Sequence, residues 1–548
     1  MIVTMIVTRT AAMIVTIAAV ASLTLGAAGC GSDSSPLPRP TVAVTSTPAV
    51  SLTMAGPSPS PTPPGSADSI NVLYSFDGTH GADPKGSLVL GEVGGTPTLF
   101  GRTAFGGPGW DASDPAGAPG GGVIFSLPAS GGALSGEFDF PGGADGYQPH
   151  HDAMVLLGST LWGAALYSGT IGENGSGNGA VYSIDSASLA STYAVAHAFG
   201  GAPDDGANSH SSFGVGSDGV TLYGTTAAGA AGSGTIYCYN TANDPTSPCY
   251  DSVSHVPYLV LFAFENGTGK PSGCSNCTGS TPHGRPVVVN IGTGGTPIDV
   301  LLGMTRQGGY TSGGNSKGNG TIYAYTPSAN AYTVLHLFKG STTDGAFTDH
   351  GNLILGAFVP ASGSAPAQVT VYGMTTNGGT HGSGSSSPPG AGVIFAATVA
   401  LPTPAAVPTI TAYTIVHNFG GSSVKNLVTQ SHLPDGYNPF GSLVMDDGYL
   451  YGMTRNGGAK GGGVIFRMNP EISCANSTKS HCYGLLASFD SPKKGDKDDT
   501  GSQPIDNLTP SADGSILYGM TQTGGANDHH NHQTAIGFGT VFSIFAAP

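Results

Sequence analysis

The sequence predicts an all-β fold: a seven-bladed β-propeller of four-stranded antiparallel blades, closed by an N-terminal strand at 72–76 that completes the last blade. Three observations predict it. A short apolar segment recurs seven times, two companion segments recur with it in fixed order, and the repeating region begins and ends out of phase. Composition agrees. Glycine makes up 89 of 548 residues, about twice its usual share, and a glycine inside a helix costs ~1 kcal/mol against alanine. That argues against a mainly helical protein. Hydrophobic residues at 39% supply a core and argue against disorder throughout.

The recurring segment, strand b, reads TLFGRT (98–103), TLWGAA (160–165), TLYGTT (221–226), VLLGMT (300–305), TVYGMT (370–375), YLYGMT (449–454) and ILYGMT (516–521). A glycine-rich loop follows, then strand c: GVIFSL (122–127), GAVYSI (179–184), GTIYCY (234–239), GTIYAY (320–325), GVIFAA (392–397), GVIFRM (463–468) and GTVFSI (539–544). Strand d ends in Phe: VLYSF (72–76), EFDF (137–140), AVAHAF (194–199), LVLFAF (259–264), TVLHLF (333–338), TIVHNF (414–419) and GLLASF (484–489). Strand a precedes b and is clearest in SLVLG (87–91), NLILG (352–356) and SLVMD (442–446). Each is short, β-branched or aromatic, and bounded by Gly, Asp, Asn or Pro, which are strand and turn signals. Four antiparallel strands in a repeat of about 68 residues make a propeller blade with long loops.

Every b segment carries a central glycine: Gly101, Gly163, Gly224, Gly303, Gly373, Gly452 and Gly519. Glycine inside a strand marks a bulge or close backbone approach, and blades that narrow toward the axis have use for a residue without a side chain. The neighbouring Tyr372, Tyr451 and Tyr518 are expected to pack between blades. The repeats open on a lone d strand and close on a lone c strand. Pairing 72–76 with 540–544 completes blade 7 and seals the ring, leaving no open blade.

Ahead of the repeats, residues 1–29 hold Arg9 and the uncharged run 11–28, which read as an export signal. LGAAGC (25–30) resembles a bacterial lipoprotein signal, with Ala27 where that motif usually has Leu; the resemblance implies lipid attachment at Cys30. Ordinary secretion and a retained anchor are the alternatives. Residues 30–68, rich in Ser, Pro and Thr, are expected to form a disordered, extended tether, followed by the propeller at 69–548. The other six cysteines fall in close pairs, Cys238 with Cys249, Cys274 with Cys277 and Cys474 with Cys482. Outside the cell such pairs read as loop disulfides. Cys274 and Cys277 also spell C-x-x-C, half a zinc site or a redox motif, but no second C-x-x-C exists.

The unit LYGMT, a GG loop, GVIF, a strand ending in Phe and then D-G-x-x-P resembles the bacterial choice-of-anchor tandem repeat proteins called GloVer-containing. It covers nearly everything after residue 70. Blades 6 and 7 carry it well, with Asp435, Gly436, Pro439 and Gly441 ahead of YLYGMTRNGG and GGGVIF. Blade 2 departs, with TLWGAA and with His150 and His151 after Pro149, as does blade 3, with Ser209 where Pro is usual. The resemblance implies an exported, envelope-anchored protein and carries no reaction with it.

In a propeller the d–a and b–c loops gather on one face. Four consecutive repeats place a histidine just before strand a: His150, His210, His283 and His350. They align with Lys85, Phe440 and Ile505 in the other repeats, with one residue inserted ahead of His350. The b–c loop of blade 7 adds Asp528, His529, His530 and His532, and that of blade 5 adds His381. Neutral imidazoles are common metal ligands, so a partial ring of them could hold Zn, Cu or Ni. The plainer expectation is polar loop histidines with no ligand, and no cofactor. His197, His336 and His417, two residues before the d-strand Phe, read as packing residues. Asp145, Asp205, Asp344 and Asp435 sit in D-G turns and read as turn formers.

The net charge of −16 argues against nucleic-acid binding, which needs a basic face. Glutamate is scarce, and neither a G-x-S-x-G at a strand-to-helix turn nor a phosphate loop is present in the sequence. The expectation is a monomeric, non-enzymatic surface scaffold of the bacterial envelope, facing outward, touching the membrane only through its lipid and binding a glycan, protein or matrix polymer. The alternative is an extracellular propeller enzyme, a polysaccharide lyase or hydrolase, with or without a metal's assistance.

Overall fold

The computed structural model describes residues 70–546 other than 109–119, 170–176, 231, 266–273, 293–296, 312–316, 382–389, 403–406, 471–481, 491–499 and 528–537. The leader, Cys30, the tether, Cys474 and the Asp528–His532 loop lie outside these residues.

Seven antiparallel arrays, each in the order a-b-c-d, make up the described chain. Blade 1 is Val89–Val93, Thr96–Thr103, Val123–Pro128 and Gly136–Asp139. Blade 5 has the longest strands, Ile354–Val359, Ala367–Thr375, Val393–Leu401 and Thr409–Asn418. Only two short 3-10 turns, at Leu189–Ser191 and Pro327–Ala329, interrupt the strands and loops among the described residues.

The ring closes as the strand offset requires. Asn71–Ser75 lies antiparallel to Thr540–Phe545, with Asn71 opposite Ser543, Val72 opposite Phe542 and Ser75 opposite Thr540. The Phe76 amide then donates to the Gly539 carbonyl at 3.1 Å. Apolar packing gives the same closure. Each of seven buried clusters joins one blade to the next, and the cluster of Leu73, Phe76, Ile516 and Tyr518 with Leu88, Leu99 and Val123 joins blade 7 to blade 1. The core is therefore a closed circuit of interfaces, and Tyr372, Tyr451 and Tyr518 pack between blades as expected.

The b-strand glycine has a different cause from the narrowing first supposed. In all seven blades it stands directly opposite the aromatic residue of strand c, as in Gly101 with Phe125, Gly303 with Tyr323 and Gly519 with Phe542. A Cβ on it would lie 2.3–2.5 Å from that ring. Glycine is there to seat the partner's ring across its own strand, which is cross-strand packing rather than a bulge.

The D-G segments tie the face together. Gly206–Ala207 pairs with Ala228–Gly229, Gly345–Ala346 with Asn377–Gly378, and Gly436–Tyr437 with Asn456–Gly457. Each pairing holds a d–a loop against the b–c loop of its own blade, so both loops do share one face.

The D-G aspartates also do more than turn the chain. Asp205 accepts from His197 at 3.1 Å and from Tyr258 of the following blade at 2.5 Å. Asp344 with His336 and Tyr413, and Asp435 with His417 and Tyr483, repeat the clasp. Each histidine stacks on its tyrosine, with centroids 3.5–4.1 Å apart. The three histidines pack, as their spacing implied, but as polar links between blades. Cys238 and Cys249 form a disulfide; Cys277 and Cys482 are also disulfide-bonded.

Candidate metal centre

In six of the d–a loops a residue with positive φ stands two places before the position of interest: Asp83, Gln148, Asn208, Thr281, Asn438 and Gln503. Its carbonyl accepts from the residue after strand b in blades 1, 2, 3, 4 and 6, as in Leu166 to Gln148 and Arg455 to Asn438. This shared kink delivers Lys85, His150, His210, His283, Phe440 and Ile505 to equivalent places. In blade 5 the kink is at Phe347, and the inserted residue puts His350 three places on.

These places meet where residues from all the blades converge, at the ring axis. The His210 and His283 rings stack at 4.0 Å, His283 and His350 at 4.7 Å, and His150 meets His210 edge-on at 5.3 Å. One nitrogen from each of His210, His283 and His350 lies within 4.8 Å of the others. The four aligned histidines of the sequence therefore do come together. His381, on the blade 5 b–c loop, is exposed.

All four rings keep Nδ1 buried with no hydrogen-bond partner among the described residues. A buried polar atom left unpaired costs about 1–3 kcal/mol, so four on touching rings form a site short of its ligand. Burial, then neighbouring positive charge, holds the imidazoles neutral. His210 is pushed down to about 3 by burial and by Arg306 and Lys85, and His150, His283 and His350 fall well below the usual imidazole range. His283 and His350 are buried; His150 and His210 keep part of their surface open, which leaves a way in.

Below the rings the axis is plugged by the residues that made blade 2 irregular. In blades 1, 4, 5 and 6 the residue after the axial position is glycine, with the next blade's backbone against it: a Cβ on Gly284 would lie 2.3 Å from the Gly351 carbonyl. Blades 2 and 7 have His151 and Asp506 instead, and these bond to each other, Nδ1 to Oδ2, at 3.2 Å. Burial, then the charge of Asp152, raises the Asp506 carboxyl well above the usual range, and burial lowers His151. The His151 ring is stacked against that of His350 at 3.3 Å. Asp152 takes Arg285 at 3.0 Å and Asn352 at 3.1 Å, from blades 4 and 5. Arg102, almost wholly buried, donates to the carbonyls of His151 and Asp152.

Sequence reading found the four aligned histidines and missed the plug. His151 and Asp506 lie 355 residues apart. The one signal was the broken glycine pattern after the axial position.

The arrangement can hold an ion. Ligand nitrogens 2.0–2.1 Å from one ion stand roughly 3.4–3.6 Å apart, so small ring rotations would bring the three into bonding range.

A family model, the Gloeobacter/Verrucomicrobia repeat, matches residues 260–547. The chain belongs to this repeat family. The match covers the repeats that carry His283, His350 and the ring-closing c strand. No curated protein matches the chain. Among solved structures it is similar to the WD40 repeats of RRP9 (11% identity, 88% of this chain and 99% of that one, TM-score 0.41). It is also similar to quinohemoprotein alcohol dehydrogenase from Comamonas testosteroni (10%, 87% and 76%, TM-score 0.39), and to TolB from Acinetobacter baumannii (13%, 68% and 61%, TM-score 0.28).

Proposed function

We propose that the chain is an exported propeller of the bacterial envelope, lipid-anchored through Cys30, which binds rather than catalyses. We take its axial pocket to be a transition-metal site. The observation that carries this reading is the set of three imidazoles, His210, His283 and His350, with ligand atoms within 4.8 Å of one another and Nδ1 atoms that have no partner among the described residues. Binding is favoured over acid–base chemistry because most of the buried aspartates are held by a cation or a clasp: Asp152 has Arg285, Asp349 has Arg306, and Asp205, Asp344 and Asp435 have their clasps, while Asp506 is buried against His151.

The test uses the full chain, expressed with its leader in a bacterial host and dialysed without chelator. About one metal ion per chain is expected, lost when His210, His283 and His350 are all changed to Phe; equal metal in both proteins, or none in either, refutes the site. Labelled palmitate incorporated by the wild type and not by Cys30→Ser supports the anchor, and no incorporation overturns it.

A further inference from the structure

The metal-binding reading leaves the ion unnamed, and the pocket's charge narrows it. The three ligands are neutral imidazoles, with no carboxylate or thiolate among them. Most of the acids on the same loops are committed, while the buried Oδ1 atoms of Asp83 and Asp506 have no partner among the described residues. Asp349, beside His350, is paired with Arg306; Asp152 is held by Arg285 and Asn352; Asp506 faces His151 and accepts the Asp152 amide at 3.0 Å. Cations stand close by as well: Lys85 of blade 1 at the equivalent place, Arg102 beneath, and Arg455 over the Phe440 ring. Phe440, 5.0 Å from the His350 ring, and buried Ile505 close the blade 6 and 7 side with apolar surface.

Entering such a pocket costs an ion in proportion to the square of its charge, so a dication pays about four times what a monocation of equal size does. Divalent zinc bound by three histidines also takes a fourth ligand, as a rule water or hydroxide. Copper is well suited to imidazole, and its monovalent form is satisfied by three nitrogens in a trigonal arrangement. We propose that the axial site selects Cu(I) over Zn(II), holding it on His210, His283 and His350 without a compensating anion. This rests on the metal-binding reading above.

The experiment uses the full chain carrying His529→Ala, His530→Ala and His532→Ala, stripped of metal and kept anaerobic. Cu(I) is titrated against bicinchoninate, and Zn(II) against a chromophoric zinc chelator. The expected result is one Cu(I) per chain, bound at least ~100-fold more tightly than Zn(II), with an X-ray absorption edge of three-coordinate Cu(I) on nitrogen. His283→Phe should weaken Cu(I) by at least ~100-fold with the melting temperature kept; Phe440 already fills the equivalent place in blade 6. Zinc held as tightly as Cu(I) or more so, and lost in His283→Phe, would overturn the selection while leaving the metal site standing. Neither ion bound would overturn both. The comparison of the two ions in the protein that keeps all its axial histidines decides the selection even if His283→Phe does not fold.

Discussion

Changing Gly373 to alanine tests the packing rule of the blades. Gly373 is in strand b of blade 5, its backbone in a conformation any residue adopts, so alanine brings no backbone strain and on entropy alone would stabilise by about 0.5–1 kcal/mol. Its Cβ, however, would lie 2.5 Å from Cζ of Phe395 and 3.2 Å from Cδ2 of Leu353. Phe395 is fully buried and wedged between Phe338 and Tyr413, with centroids 5.6 Å away on either side, so its ring cannot retreat alone. Overpacking of this kind costs about 1–3 kcal/mol, and a net loss of about 1–2 kcal/mol is expected. Phe395→Leu alone should lose about 1–3 kcal/mol by opening space. The double variant should recover at least ~1 kcal/mol relative to the sum, because the new methyl enters the space the ring leaves. Equilibrium urea unfolding of the four proteins gives the cycle. Additivity within ~0.3 kcal/mol, or a single Gly373→Ala variant as stable as wild type, would show that the glycine is not there for the ring.

Three further outcomes follow from the geometry. Phe76→Ala empties a fully buried place at the closure and should cost about 3–5 kcal/mol, with faster amide exchange at Thr540–Phe545 than in other c strands; unchanged exchange there would deny that the strand seals the ring. Tyr483→Phe removes a 2.7 Å bond to buried Asp435 and should cost about 1.5–3 kcal/mol, while adding it to Asp435→Asn should cost little more, as urea midpoints can show. In the metal-free protein, acid should destabilise through His283 and His350. Burial, then their neighbours, keeps both far below the ~6.5 of the unfolded chain, so the unfolded state binds the extra protons. Their contribution is full above pH 6.5 and falls as pH drops below it; a His283→Phe protein should lose less stability between pH 7 and pH 5, and an equal loss would refute the assignment.

The number of blades, their strand order and the closing pair were legible because they depend on local periodicity and on the offset of the two chain ends. The alignment of His150, His210, His283 and His350 was legible for the same reason. Which rings touch was not, since that depends on how blades sit around the axis. The glycine of strand b was visible in every repeat, but its cause lies in the register with strand c, which spacing alone leaves open. The clasps hid because His336 and Asp344 belong to one repeat and Tyr413 to the next; a d-strand histidine matched by a tyrosine early in the following d strand is the pattern to look for.

A ring of identical subunits must repeat any change at every subunit around its axis. Here a single polypeptide runs through all seven blades, so each inner position answers to its own codon. Duplicating a blade delivers a new side chain already aimed at the centre by the inherited kink, and one base change can then recruit or retire it. Four neighbouring histidines beside a lysine, a phenylalanine and an isoleucine are what such independent editing produces: a lopsided pocket inside a near-symmetric frame.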